Sequence, residues 1–170
     1  MRLFVAVFPP PEAISHLADA VSTLGIHTGS QKRWHLTLAF MGDVPDPGPA
    51  AAGLDQAQLF PVGELAFAGG GRFGSLLWAG VRGDVNGLAR VTRSVRRSLR
   101  AKRVPPDDKK FQPHLTIVRR VPPDGISRAL PVLREYQGPA WPVTELVLVH
   151  SELGPQPVYH HLQAWPLPTR

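Results

Sequence analysis

The chain has 170 residues, 43% of them hydrophobic, enough for one compact core without staples. It has no cysteine, which excludes disulfides and thiolate-held zinc and fits a reducing cytoplasm. Lys and Arg number 19 against 13 Asp and Glu, a balance that favours an anionic partner, with nucleic acid or a phosphate-bearing ligand first in line.

The opening run RLFVAVF at 2–8 is apolar and β-favouring, and three prolines stop it too early for a signal peptide. It reads as the first strand of a mature protein. Pro11 and Glu12 suit a helix start, and Ile14, Leu17, Val21 and Leu24 make one apolar helical face before Gly25. WHLTLAFMG at 34–42 is the next expected strand, followed by a Pro-rich loop and a weak helix through 50–59. VGELAFAG at 62–69 reads as a strand, GGGRFG at 69–74 as a flexible connection, and LLWAGV at 76–81 as a strand. Asp84 can cap a long helix with Leu88, Val91, Val95 and Leu99 on its apolar face. Its other faces carry Arg90, Arg93, Arg96, Arg97, Arg100, Lys102 and Arg103. A loop leads to the strand HLTIV at 114–118. Asp124 is a candidate cap for a helix through Ile126, Leu130 and Leu133, and strands at 143–151 and 158–167 close the chain. No apolar run approaches the ~18 residues of a membrane span.

This order repeats. Strand, helix, HLT strand, helix, strand makes the first half, and the same series makes the second. The two His-Leu-Thr triplets hold equivalent places. A unit that occurs twice suggests two pseudo-symmetric lobes in one α/β (α+β) domain over 1–170, with the twin motifs facing each other across a cleft. Side chains alternate along a strand, so His35 and Thr37 share one face and Leu36 and Leu38 the other. His114 and Thr116 stand likewise against Leu115 and Ile117. Two imidazoles supply a general base and a general acid near neutral pH, and two hydroxyls suit the non-bridging oxygens of a phosphate. That set fits in-line displacement at phosphorus. A single His-x-Thr on a strand is commonplace, but two at equivalent places point to catalysis. Metal is the weaker use of the histidines, since no acid sits in either motif and HExxH is absent. A Ser or Cys nucleophile has no supporting motif, and GGGRFG lacks the Lys-Ser/Thr of a phosphate loop.

On these residues the sequence resembles the 2H phosphoesterase family, in particular its RNA 2′,3′-cyclic phosphodiesterase branch, once called 2′-5′ RNA ligase. The likeness spans nearly the whole chain: RLFVAVFPPPE, HLTLAFMGDV, Phe111 with PHLTIVR, and VYHHLQAWPL. It implies a bilobal fold around a central groove and cofactor-free, metal-independent opening of a cyclic phosphate on RNA to a 2′-phosphomonoester. It implies His35 and His114 as the acid–base pair; His114 is taken as base for water and His35 as acid for the leaving 3′-oxygen, a division the sequence does not fix. Thr37 and Thr116 would hold the phosphate, and Arg119 would neutralise it. Strict alternation instead puts Arg120 on the face of His114, so Arg119 needs a bulge or an early strand end. Ile117 and Val118 replace a more usual Leu-Ala. The implied partner is an RNA end, tRNA fragments included, met by a cytoplasmic monomer off the membrane. Ligation by the reverse reaction, an idle RNA-binding module and a small-molecule cyclic phosphodiesterase are the alternatives. The basic helix face is a candidate RNA track or a solvated surface. Tyr159 and Phe40 are candidates to stack on a base, the four Trp read as core or groove wall, and His16, His27, His150, His160 and His161 carry no motif.

Overall fold

The computed structural model describes residues 1–169. In chain order the elements are β1 (Arg2–Val7), α1 (Pro11–Ser22), a 3-10 turn (Gln31–Arg33), β2 (Leu36–Asp43), α2 (Gly48–Gln56), β3 (Leu65–Phe73) and β4 (Leu76–Gly83). Then follow α3 (Val85–Ala101), β5 (His114–Val118), α4 (Pro123–Glu135), β6 (Gln137–Trp141), β7 (Glu145–Glu152) and β8 (Val158–Pro166).

The strands form one sheet in the order β6-β3-β4-β5-β2-β1-β7-β8, antiparallel throughout. Its two four-stranded halves meet between β5 and β2, where the only ladder pair is Leu36 opposite Leu115. The repeat is visible in this order: β1 and β2 in one half match β4 and β5 in the other. The third strand of each unit crosses over. β3 joins the half of β4, and β7 joins the half of β1. The half β2-β1-β7-β8 is thereby built from both ends of the chain and the half β6-β3-β4-β5 from its middle, which ties the motifs into one frame.

One face of the sheet is the main core. Leu3, Val5, Leu36, Leu38, Leu115 and Ile117 pack there with Leu17 and Val21 of α1, Leu88, Val91, Val95 and Leu99 of α3, and Leu133 of α4. Fully burying one such leucine stabilises the fold by about 2–3 kcal/mol. The opposite face of β1 and β7 carries a smaller cluster of Phe4, Ala6, Val147 and Val149, with Phe8, Phe40 and Tyr159 against it. Asp84 is the cap of α3, its Oδ1 accepting from the Gly87 N–H at 3.0 Å and its Oδ2 from the Gly63 N–H at 2.7 Å.

Two local expectations need correction, and one strand was not expected. GGGRFG is not a flexible connection: β3 runs through Phe73 and the hairpin turns only at Gly74 and Ser75. Its glycines answer a close approach, since a Cβ at Gly70 would stand 2.5 Å from the Trp78 carbonyl oxygen and one at Gly71 2.6 Å from the Trp78 ring. Asp124 does not cap α4, which starts at Pro123 with Pro122 in the cap position and no side-chain bond. And β6, the sequence QGPAW, is an additional strand; Pro139 fits because β6 is at the sheet edge and need not donate outward.

Candidate active site

The groove lies where the two halves meet. His35 immediately precedes β2 and His114 opens β5. With Leu36 opposite Leu115 in an antiparallel pair, His35 stands across from Thr116, and Thr37 across from His114. Both leucines are fully buried in the core face, so the four polar side chains share the other face. The sheet thus delivers two His-Thr pairs related by the pseudo-two-fold.

The imidazoles are oriented alike. Nδ1 of His35 is 2.6 Å from the Arg33 carbonyl oxygen, and Nδ1 of His114 is 2.6 Å from the Gln112 carbonyl oxygen. A carbonyl only accepts, so each Nδ1 carries the hydrogen and each Nε2 is left for proton exchange. Nε2 of His35 lies 2.9 Å from Thr37 Oγ1, whose hydroxyl donates to the bare nitrogen.

The surroundings of the two rings differ. His35 stacks on Phe4 at 4.8 Å between centroids, with Phe8 at 5.7 Å and Tyr159 at 5.5 Å. Burial in this box pulls its pKa from 6.5 to about 4. The Arg33 carbonyl opposes the shift, and the charges of Arg119, His114 and His161 add to it. Burial also raises the Tyr159 phenol. His114 meets the edge of Phe73 at 5.4 Å and Trp78 at 6.3 Å.

The groove has a volume of about 680 Å³, and His35, Thr37, His114, Thr116 and Arg119 all line it. Arg120 does not. β5 ends at Val118, and Arg120 has φ of 60°, a left-handed turn residue. Period-two alternation therefore stops before the arginines, which is why it misassigned them. Phe40 and Tyr159 are both in the groove wall. Sequence reasoning missed Arg2, Phe4 and Arg33, which also line it. Alternation along β1 held the signal, since Arg2, Phe4, Ala6 and Phe8 share a face. Arg2 lies 4.6 Å from the Phe40 ring centroid, and Arg33 Nη1 donates to the Pro157 carbonyl at 3.3 Å.

The remaining histidines are dispersed. His16 Nδ1 bonds the Tyr136 hydroxyl at 2.7 Å, His160 pairs with Glu152 at 2.8 Å, and His161 lies 4.4 Å from Phe8. His150 neighbours His160 across β7 and β8, and His27 lines the groove. The basic helix α3 packs on the Leu36–Leu38 face, away from the groove. Arg96 there is structural, donating to the carbonyls of Leu38 at 2.9 Å and Lys109 at 2.8 Å. Among the described residues, no group of three or more His, Asp or Glu comes together as a metal would need.

The model of the 2′-5′ RNA ligase superfamily matches residues 8–155. The RNA 2′,3′-cyclic phosphodiesterase of Thermus thermophilus is 34% identical over 98% of this chain and 90% of its own length. A protein of the same name from Geobacillus stearothermophilus is 32% identical over 92% of this chain, which spans about half (53%) of that longer relative. A crystal structure of a Thermus thermophilus protein superposes with a TM-score of 0.77 at 31% identity, covering 98% of both chains. Escherichia coli LigT in complex with 3′-AMP shares the fold at 21% identity, with a TM-score of 0.77 over 98% of this chain and 97% of that one. On the span of the family model and the identity of the Thermus relative, the chain belongs to the 2′-5′ RNA ligase superfamily, the 2H phosphoesterases that its twin motifs resemble.

Proposed function

We propose that the protein hydrolyses a 2′,3′-cyclic phosphate at an RNA end to a 2′-phosphomonoester, without metal, by acid–base catalysis between His35 and His114. The observation that carries this reading is the matched pair of Nδ1–carbonyl bonds, which leaves an Nε2 atom on each side of one groove. In the reaction a water oxygen attacks phosphorus while one Nε2 takes its proton. The P–O3′ bond breaks in line, and the other Nε2 gives a proton to the departing 3′-oxygen. The products are a 3′-hydroxyl and a 2′-phosphate, and the two rings exchange protons with solvent to reset. Thr37 and Thr116 donate to the non-bridging oxygens, with Thr37 leaving its bond to His35 to do so. Arg119 offsets the phosphate charge. The names of the Thermus and Geobacillus relatives support this substrate class.

Roles within the pair follow the desolvation of His35 among Phe4, Phe8 and Tyr159. A pKa near 4 keeps His35 neutral in the free protein, with Nε2 ready to accept. That state supports His35 as the base and His114 as the acid, the reverse of the assignment first taken from the family resemblance. A bound phosphate anion raises His35 toward the working range, where a base is most effective. Within this reading the protein acts as a cytoplasmic monomer on RNA ends, tRNA fragments among them.

The test is turnover of a short RNA ending in a 2′,3′-cyclic phosphate in the presence of EDTA, with the product identified by phosphorus NMR. A 2′-phosphate formed at an undiminished rate is expected. A 3′-phosphate, or activity abolished by EDTA and restored by a divalent metal, would contradict the mechanism. Binding without turnover would instead favour an idle RNA-binding module.

A further inference from the structure

A second cavity, of about 300 Å³, opens beside the groove and shares His27, Val118 and Arg119 with its wall. Beyond Arg119 it is lined by Arg120, Arg128, Gly125 and a single acid, Asp124. Three guanidiniums thus face one small pocket against one carboxylate. Among the described residues no side-chain ion pair within 4.0 Å and no side-chain hydrogen bond occupies Arg119, Arg120 or Arg128. Uncommitted guanidiniums around a pocket suit an anion, and planar bidentate donors suit a phosphate best.

The backbone is shaped to make this junction. Arg120 takes the left-handed conformation at φ 60°, which costs a non-glycine residue about 1–2 kcal/mol. The Val121 N–H holds the turn by donating to the Ser75 carbonyl at 2.8 Å. As a result Arg119 borders both cavities and Arg120 borders only the second.

We propose that this side pocket is the subsite for the phosphodiester on the 5′ side of the terminal nucleotide, so that the RNA strand leaves the groove over Arg119 and hands its next phosphate to Arg120 and Arg128. The proposal rests on the hydrolase reading and adds what that reading leaves open: the site reads a nucleic-acid strand, not only its cyclic end. A rival track is the basic cavity on the back of the sheet, about 500 Å³ and lined by Arg90, Arg93 and Arg97. It shares no lining residue with the groove, so a strand seated in the groove has no continuous path to it.

The experiment compares kcat/KM for a nucleoside 2′,3′-cyclic phosphate, its 5′-phosphorylated form, and a tetranucleotide ending in the same cyclic nucleotide. The proteins are wild type, Arg120→Gln, Arg128→Gln, and the doubly substituted back-face control R93Q/R97Q. Wild type is expected to favour both phosphate-bearing substrates over the bare nucleoside by roughly tenfold, the size of one charge-assisted phosphate contact. Arg128→Gln and Arg120→Gln should each lose roughly three- to tenfold on those two substrates, mainly in KM and with a shallower salt dependence. On the bare nucleoside they should stay within about twofold of wild type, because that ligand has no second phosphate to contact. Equal use of all three substrates by wild type would overturn the subsite while leaving the hydrolase reading standing. A length advantage that survives both substitutions, or that is lost in R93Q/R97Q instead, would overturn it equally. A wild type that opens none of the three contradicts both readings.

Discussion

An imidazole transfers protons usefully when one nitrogen is tied down and the other is free. Both groove histidines have Nδ1 tied down by a carbonyl two residues upstream, a local bond set by the x-x-His backbone, and Nε2 of His35 also accepts the Thr37 hydroxyl in the free protein. His35 is further desolvated by its aromatic box of Phe4, Phe8 and Tyr159, and that desolvation makes predictions. The folded pKa of His35 lies near 4 against 6.5 when exposed, so the unfolded chain binds more protons between those values. Stability contributed by neutral His35 is therefore present above pH 6.5 and lost as pH falls toward 4, by about 3 kcal/mol in the limit, at ~1.36 kcal/mol per pKa unit. Urea unfolding at pH 7 and pH 4.5 should find a smaller difference in His35→Gln than in wild type; parallel curves would refute the burial account. If His35 is the base, a cyclic phosphate with sulfur at the 3′ bridging position, whose thiolate leaves unaided, should restore His114→Ala but not His35→Ala. Arg119→Gln should lower kcat/KM by roughly 10–100-fold, in the range of lost charge-assisted bonds. The same change should raise the His35 pKa in an NMR titration, because the Arg119 charge helps to depress it. At this scale the His and Thr positions were legible because they occur twice. Arg119 was legible only by resemblance, since alternation has no authority past Val118, where the strand ends.

Elements carry the site by register, and register depends on a few backbone approaches. Asp84 joins the start of α3 to the Gly63 amide before β3, so it fixes a helix and a strand together. Asp84→Ala should cost about 1–2 kcal/mol in chemical unfolding, the usual value of an N-cap, with kcat unchanged at saturating substrate. Gly71→Ala is a harsher test. Its Cβ would meet the Trp78 ring at 2.6 Å, and Trp78 neighbours His114. Overpacking of about 1–3 kcal/mol is expected, together with reduced kcat under the proposed mechanism, since the displaced indole presses on the His114 ring. A stable and fully active variant would contradict the tight β3–β4 approach. The long amphipathic helix α3 and the apolar strands were legible from periodicity. GGGRFG was not, because glycines chosen for close packing and glycines chosen for flexibility look the same in one sequence. Nor was β6, five residues with a proline at a sheet edge, too short and too irregular to show a period.

The sheet carries two strand-helix-strand-helix units, with β6 and β8 added at its edges; the units exchange their third strands and meet at a single ladder pair, Leu36 and Leu115. The repeated order of strands and helices was readable in the chain; the exchange was not, because it depends on which sheet edge each third strand finds. The symmetry brings the two His-Thr pairs together, and in the proposed mechanism the difference in their surroundings gives the histidines separate work. Net charge of +6 adds long-range attraction for an RNA end, which salt should weaken. The central claim is that His35 and His114 act in one and the same step. The direct measurement is kcat on an RNA 2′,3′-cyclic phosphate for His35→Ala, His114→Ala and the double variant. Each single variant should fall by ~10²–10⁴-fold, the usual contribution of a positioned acid or base, and the double should fall little further than the worse single. Losses that multiply in the double variant, or a single variant that keeps wild-type kcat, would contradict the account.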